Sequence, residues 1–204
     1  PEARNIQHYV EALGATAGSG IIDVRPGTEA SDDRVATITT GDIHSQLKRR
    51  ASYGPYLQSL FQATAACLAK NPLPAVVAPQ AHGPVELGLL PPLDRLSGPC
   101  RNTELRDAIA NWAEMMRYAR CRDGSDCLAS SSGRCRGALI FGGERGGGQP
   151  RITPADRQST ANYLEAPTLA ALAAGQLGVL PERIALPFAS SDPAVTTDVA
   201  LCIP

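Results

Sequence analysis

The chain has 204 residues, of which 43% are hydrophobic and 19% are charged, so it is long enough to bury a core. Its net charge of −1 gives no electrostatic attraction to nucleic acid or to an anionic membrane surface, and we expect no nucleic-acid partner. The compact basic run Lys48-Arg49-Arg50 fits a solvated helix face. We expect a single globular domain over residues 1–204.

The number and spacing of the cysteines indicate the cellular compartment of the protein. The six cysteines form no CxxC pair and no cysteine–histidine ladder, so a structural zinc site is not expected. Their even number favours disulfides and an oxidising compartment, either the periplasm or the cell exterior. The alternative is a cytosolic protein with buried free thiols. Because no signal peptide or long apolar run opens the chain, we expect a leader or anchor to precede Pro1 in the complete protein.

The first 70 residues predict a helix, two strands and a longer helical region. Residues 2–13 have apolar side chains at helical spacing, and residues 21–24 and 34–39 are typical of short strands. From 41 to 70 an apolar stripe of about 3.6-residue period follows a capping threonine, Thr40. Gly54-Pro55 interrupts this stripe and should kink or split the helix.

The middle of the chain is rich in proline. Residues 72–100 predict an irregular excursion without a core element, and a helix capped by Asn102 or Thr103 should run to about Trp112. Two neighbouring strands are expected at Met115–Cys121 and Gly137–Phe141, with a disulfide-stapled loop between them.

The last quarter predicts one helix and two closing strands. Thr153-Pro154 is a strong helix start, and the helix should reach about Glu165. Closing strands are expected at Arg183–Phe188 and Ala194–Ile203. Residues 1–40 also weakly echo residues 155–204, and the short match fits either a duplicated unit or coincidence. The fold class is therefore α+β: an antiparallel sheet packed against a long or kinked amphipathic helix, with disulfide-stapled loops.

No stretch of the sequence predicts a catalytic, cofactor or metal site. The glycine cluster Gly142–Gly148 lacks the lysine–serine pair of a P-loop, and Asp123-Gly124-Ser125-Asp126 lacks the later ligands of a calcium loop, so we interpret both as turns. The histidines His8, His44 and His82 accompany no GxSxG elbow. A triad assembled from distant residues stays open as an alternative.

Six cysteines allow fifteen connectivities, of which we favour one. Cys127 and Cys135 flank a serine–glycine turn, which can bring them together. A Cys67–Cys100 bridge would pin the proline-rich excursion, and Cys121 is then left for Cys202, near the end of the chain.

Several motifs, taken in order, resemble bacterial prepilin-type proteins, the minor pilins and pseudopilins of type IV pilus-like systems. They are Ala36–Ile43, Asn111-Trp112, Tyr118–Cys121, Gly137–Arg145 and Gly148–Arg151 continuing to Ala161–Glu165. The resemblance implies a non-enzymatic structural subunit of an extracellular filament or secretion pseudopilus. It also implies no cofactor, other pilin-like subunits as partners, and membrane contact only through an N-terminal helix absent from this chain. The alternatives are a secreted binding module or adhesin, and a secreted hydrolase.

Overall fold

A computed structural model describes residues 52–70, 72–92, 101–142, 149–184 and 196–204, and the statements below concern these residues. The predicted helix at 2–13, the strands at 21–24 and 34–39, the echo within 1–40 and the helical residues 41–51 lie outside the described part of the chain. So do residues 143–148 of the predicted glycine turn.

The described residues form four helices and seven short strands. The helices are α1 (Tyr53–Leu68), α2 (Thr103–Trp112), α3 (Pro154–Gln158) and α4 (Ala166–Ala173). The strands are β1 (Val77–His82), β2 (Val85–Leu89), β3 (Met116–Cys121), β4 (Leu128–Ser130), β5 (Gly133–Cys135), β6 (Gly137–Phe141) and β7 (Val199–Ile203). Short 3-10 turns occupy Ala113–Met115, Thr160–Asn162 and Leu177–Val179.

Five strands form one antiparallel sheet in the order β1-β2-β3-β6-β7, and β4 and β5 form a separate hairpin. β6, with the sequence GALIF, is buried along its whole length and lies between β3 and β7. Such an uninterrupted apolar strand indicates that both faces of the sheet are covered. The predicted α+β class with an antiparallel sheet is confirmed.

The first face of the sheet is covered by α1 and α2. Leu57, Phe61 and Leu68 of α1 belong to one buried cluster with side chains of β3, β6 and β7. The rings of Phe61 and Phe141 meet edge to face with centroids 5.9 Å apart, a favourable aromatic geometry.

The second face is covered by α4, the β4–β5 hairpin and the segment around Leu164. Their buried side chains share a cluster with those that β2, β3, β6 and β7 turn to this side. The helix that was expected to pack against the sheet accounts for one face only, and the sequence analysis did not identify the layer on the second face. Alternate residues of a strand point to opposite faces, and on β6 both alternate sets are apolar.

The Gly54-Pro55 interruption marks the start of α1. The helix begins at Tyr53 after the N-cap residue Ser52, so Pro55 lies in its first turn. A proline in the first turn breaks no intrahelical hydrogen bond, because the amides there have no helical acceptor.

The prediction that residues 72–100 hold no core element was wrong. This stretch contains the β1–β2 hairpin, in which His82 pairs with Val85 around Gly83-Pro84, and Val85 and Leu87 are fully buried. Pro79 is accommodated because it lies on an edge strand of the described sheet, where the register shifts between Val77 and Gln80. Residues 93–100 lie outside the description.

Two helix starts were predicted correctly from their caps. The Asn102 side chain accepts a hydrogen bond from the Leu105 amide at the start of α2. Thr153 and Asp156 form a capping box at the start of α3, and Pro154 is the first helical residue. Ile109 of α2 is fully buried.

The ends of two elements were predicted wrongly. α3 stops at Gln158 instead of Glu165, because Ser159 adopts an extended conformation and the Asn162 side chain then donates to the Asp156 carbonyl, 2.9 Å away. The last strand begins at Val199 instead of Ala194, since residues 196–198 are not in a strand.

For the predicted closing strand Arg183–Phe188, only Arg183 and Ile184 are described, and neither lies in a strand. No helix among the described residues is both long and apolar enough to span a membrane.

Candidate functional site

The loop after β3 is held by a short disulfide. Cys121 and Cys127 are bonded across a separation of six residues, with their Cα atoms 5.8 Å apart. Gly124 provides the positive φ of +72° that lets the chain reverse, and Asp123 accepts hydrogen bonds from the Ser125 amide (3.0 Å) and hydroxyl (2.6 Å). The predicted polar turn at residues 123–126 is therefore confirmed.

A second disulfide joins Cys135, at the end of the small hairpin, to Cys202 in β7. Their Cα atoms are 5.6 Å apart, although the two residues are separated by 67 positions in sequence. This bond ties the last strand of the chain to the β4–β5 hairpin and so fastens one edge of the described sheet.

These bonds correct the predicted pairing of Cys127 with Cys135 and of Cys121 with Cys202. In the β4–β5 hairpin Cys135 lies opposite Leu128. Successive side chains of an extended chain point to opposite faces, so Cys127, one residue before Leu128, does not point to the same face as Cys135. β6 separates β3 from β7, and two strand spacings of about 4.8 Å exceed the reach of a disulfide. Cys67 is also disulfide-bonded, and its predicted partner Cys100 lies outside the described residues.

A pocket of about 320 Å³ opens beside the Cys121 loop. It is lined by Pro72, Leu73, Arg120, Cys121, Arg122, Asp123, Gly124 and Arg136. Three arginines and one carboxylate thus face the same small volume. No sequence motif identified this group, because its members come from the end of β3, the segment before β6 and the chain after α1.

The three arginines are anchored differently. Arg120 forms an ion pair of 2.8 Å with Glu86, its direct cross-strand partner, and both side chains are about one third exposed. Arg122 is exposed, and its Nε donates to the Val85 carbonyl at 3.4 Å. Arg136 donates to the Pro204 carbonyl oxygen at 2.7 Å. The pocket therefore presents guanidinium groups that are oriented by contacts to β2 or to the residue that follows β7.

Asp123 is the acidic member of this pocket. Hydrogen bonds from the Ser125 hydroxyl and amide lower the pKa of its carboxyl group, so it is ionised at neutral pH. Among the described residues no group of three or more histidine, cysteine, aspartate or glutamate side chains is placed to hold a metal ion. Asp126 contributes its carbonyl oxygen to Arg134 at 2.7 Å.

His82 contacts a threonine hydroxyl. Its Nε2 lies 3.2 Å from Thr160 Oγ1, and that hydroxyl donates to Gln80 Oε1 at 2.8 Å. Because the Thr160 hydroxyl donates to Gln80, it accepts from His82 Nε2, which carries the ring proton in this arrangement. Burial lowers the pKa of His82, and Thr160 is only 1% exposed. The contact links β1 to the Thr160–Asn162 turn.

A buried arginine that sequence reasoning missed lies in β3. Arg117 is fully buried and donates to the carbonyl oxygens of Glu114, Met116 and Arg157, each at 2.9 Å. Its guanidinium carbon lies 3.6 Å from the centroid of the Tyr163 ring, and burial lowers its pKa to about 10. These contacts join β3 to Arg157 of α3 and to Tyr163, so we assign Arg117 a structural role.

The glycine cluster after β6 is described only at Gly142. A Cβ atom there would lie 2.6 Å from the Tyr163 carbonyl oxygen, so the residue is required by close backbone packing.

The disulfides and the pocket are properties of the chain that do not by themselves define a family. The prepilin-type resemblance remains a prediction from sequence motifs. Comparisons with protein-family models, with curated proteins and with solved structures found no match.

Proposed function

We propose that this chain is a non-enzymatic structural subunit of an extracellular type IV pilus-like filament or secretion pseudopilus. The proposal rests on the ordered motifs that resemble prepilin-type proteins, such as Ala36–Ile43 and Gly137–Arg145. The antiparallel α+β architecture and the disulfides are compatible with the globular head of such a subunit.

The disulfide pattern supports the compartment that the proposal requires. Cys121–Cys127 closes the loop after β3, and Cys135–Cys202 fastens the last strand. Disulfides of this kind persist in oxidising compartments, so they favour the periplasm or the cell exterior. A filament subunit is also exposed to mechanical shear and has no access to cytosolic chaperones. Disulfides stabilise the folded state of such a subunit because they destabilise its unfolded chain.

In this proposal the partners are other pilin-like subunits, in a homo- or hetero-oligomeric filament. Such subunits use an N-terminal apolar helix both for membrane contact and for packing in the filament core. The described domain would then be the exposed head, with no cofactor and no catalytic residue of its own.

A second candidate function, a secreted binding module or adhesin, is favoured by the arginine-lined pocket. The described residues offer no comparable observation in favour of the hydrolase alternative.

Shearing of surface filaments from the cells that make the protein tests the proposal. Antibodies raised against the 204-residue chain should label the sheared filaments by immunogold electron microscopy, and the chain should sediment with them. Deletion of the prepilin peptidase gene from the same cells should abolish this labelling. Recovery of the chain only as a freely secreted protein, without filament labelling, would reject the structural role and leave the binding module.

A further inference from the structure

We propose that the pocket beside the Cys121–Cys127 loop is a binding site for a small molecule that carries an oxyanion group, namely a carboxylate, a sulfate or a phosphate. Its volume of about 320 Å³ lies at the lower end of the range for small-molecule sites. The site goes beyond the structural role proposed above and does not depend on it.

The charge of the lining favours an anion. Arg120, Arg122 and Arg136 contribute three positive charges, whereas Asp123 and the Glu86 partner of Arg120 contribute two negative ones. The planar guanidinium group binds carboxylate, sulfate and phosphate oxygens with paired hydrogen bonds, which gives arginine an advantage over lysine at such sites.

Arg122 is the arginine best placed to receive a ligand. Its one side-chain hydrogen bond within the described residues is from Nε to the Val85 carbonyl, so that contact orients the side chain and leaves the terminal amino groups available. Arg120 is oriented by its ion pair with Glu86, and Arg136 by the Pro204 carbonyl oxygen.

The disulfide preorganises the site. Cys121 lines the pocket itself, and its bond to Cys127 closes the loop that carries Arg122, Asp123 and Gly124. Because this loop is fixed before a ligand arrives, little conformational entropy is lost on binding. The pocket should therefore depend on an intact Cys121–Cys127 bond.

The test is a nuclear magnetic resonance titration of the oxidised chain in low-salt buffer, with sodium sulfate, inorganic phosphate, methyl glucuronide and, as a neutral control, methyl glucoside. We expect saturable shifts of the amides of residues 120–124 with at least one anion and none with the neutral sugar. Saturation by the glucuronide shows that the site binds a carboxylate group. Saturation by sulfate or phosphate alone shows that the site is selective for a sulfate or phosphate group.

Three variants locate the site. Arg122→Gln should weaken binding by roughly tenfold or more, because a charge-assisted contact is lost. Arg106→Gln, the same change at an exposed position of α2, should leave the affinity within about twofold. Asp123→Asn removes a negative charge while keeping an oxygen for Ser125, and it should tighten binding.

Absence of saturable shifts for all three anions would overturn the proposal, and so would equal affinities of Arg122→Gln and Arg106→Gln. Since Arg122 is exposed, its substitution should not impair folding, and a wild-type amide spectrum outside the loop verifies this. These results concern the purified chain, so they are separate from the filament test.

Discussion

Removal of the Cys135–Cys202 disulfide should destabilise the protein more than removal of Cys121–Cys127. The first bond closes a loop of 67 residues and fastens β7, whereas the second closes a loop of six. The double variants Cys135→Ala/Cys202→Ala and Cys121→Ala/Cys127→Ala therefore form a matched pair, since each replaces two cysteines by the same residue.

The magnitude follows from the two loop lengths. Chain-entropy estimates give about 4 kcal/mol for the longer loop and about 2 kcal/mol for the shorter one. The longer loop encloses most of the second-face layer, including α4, so the unfolded chain gains more freedom when that bond is lost.

The assay is thermal and urea denaturation of both double variants and of the wild-type chain, under non-reducing conditions. For a domain of this size each kcal/mol lowers Tm by about 2–4 °C, so we expect falls of roughly 10 °C and 5 °C respectively. An equal or larger loss for Cys121→Ala/Cys127→Ala would show that loop length does not control the contribution of these bonds to stability.

Other predictions concern the β1–β2 turn and the start of α3. Gly83→Ala should lower the free energy of unfolding by more than about 2 kcal/mol, because Gly83 has a φ of +51° and a Cβ atom would lie 1.9 Å from the Ala173 carbonyl oxygen. Gly124→Ala, where φ is +72° but no atom lies within 4 Å, should cost only about 1 kcal/mol in the same urea titration. Thr153→Ala should cost about 1 kcal/mol by removing the cap of α3. Hydrogen bonds from Thr153 lower the pKa of Asp156, so its stabilising contribution should be present above about pH 4 and be lost as the pH falls through the lowered pKa. The difference in Tm between wild type and Asp156→Asn should therefore vanish in acid, and a constant difference would contradict this assignment.

Local signals in the sequence predicted the local features of the fold. Asn102 and Thr153 each place an oxygen acceptor beside free amides, so the starts of α2 and α3 follow from short-range chemistry. The run Gly137–Phe141 has the composition of a buried strand and occupies that position.

Features that depend on distant pairing could not be predicted in this way. Pro79 argued against a strand, and only the edge position of β1 in the described sheet explains how it is tolerated. The cysteine pairing depends on strand order, which brings Cys135 next to Cys202 and places β6 between Cys121 and β7. The arginine pocket likewise assembles residues that no spacing connects.

The most direct test of the account is disulfide mapping of the protein from the cells that make it. Thiols are blocked with iodoacetamide before lysis, and peptides are then mapped without reduction. We expect linked peptides that join Cys121 to Cys127 and Cys135 to Cys202. Alkylated, unpaired cysteines at these four positions would contradict both the proposed compartment and the role of the disulfides in the fold.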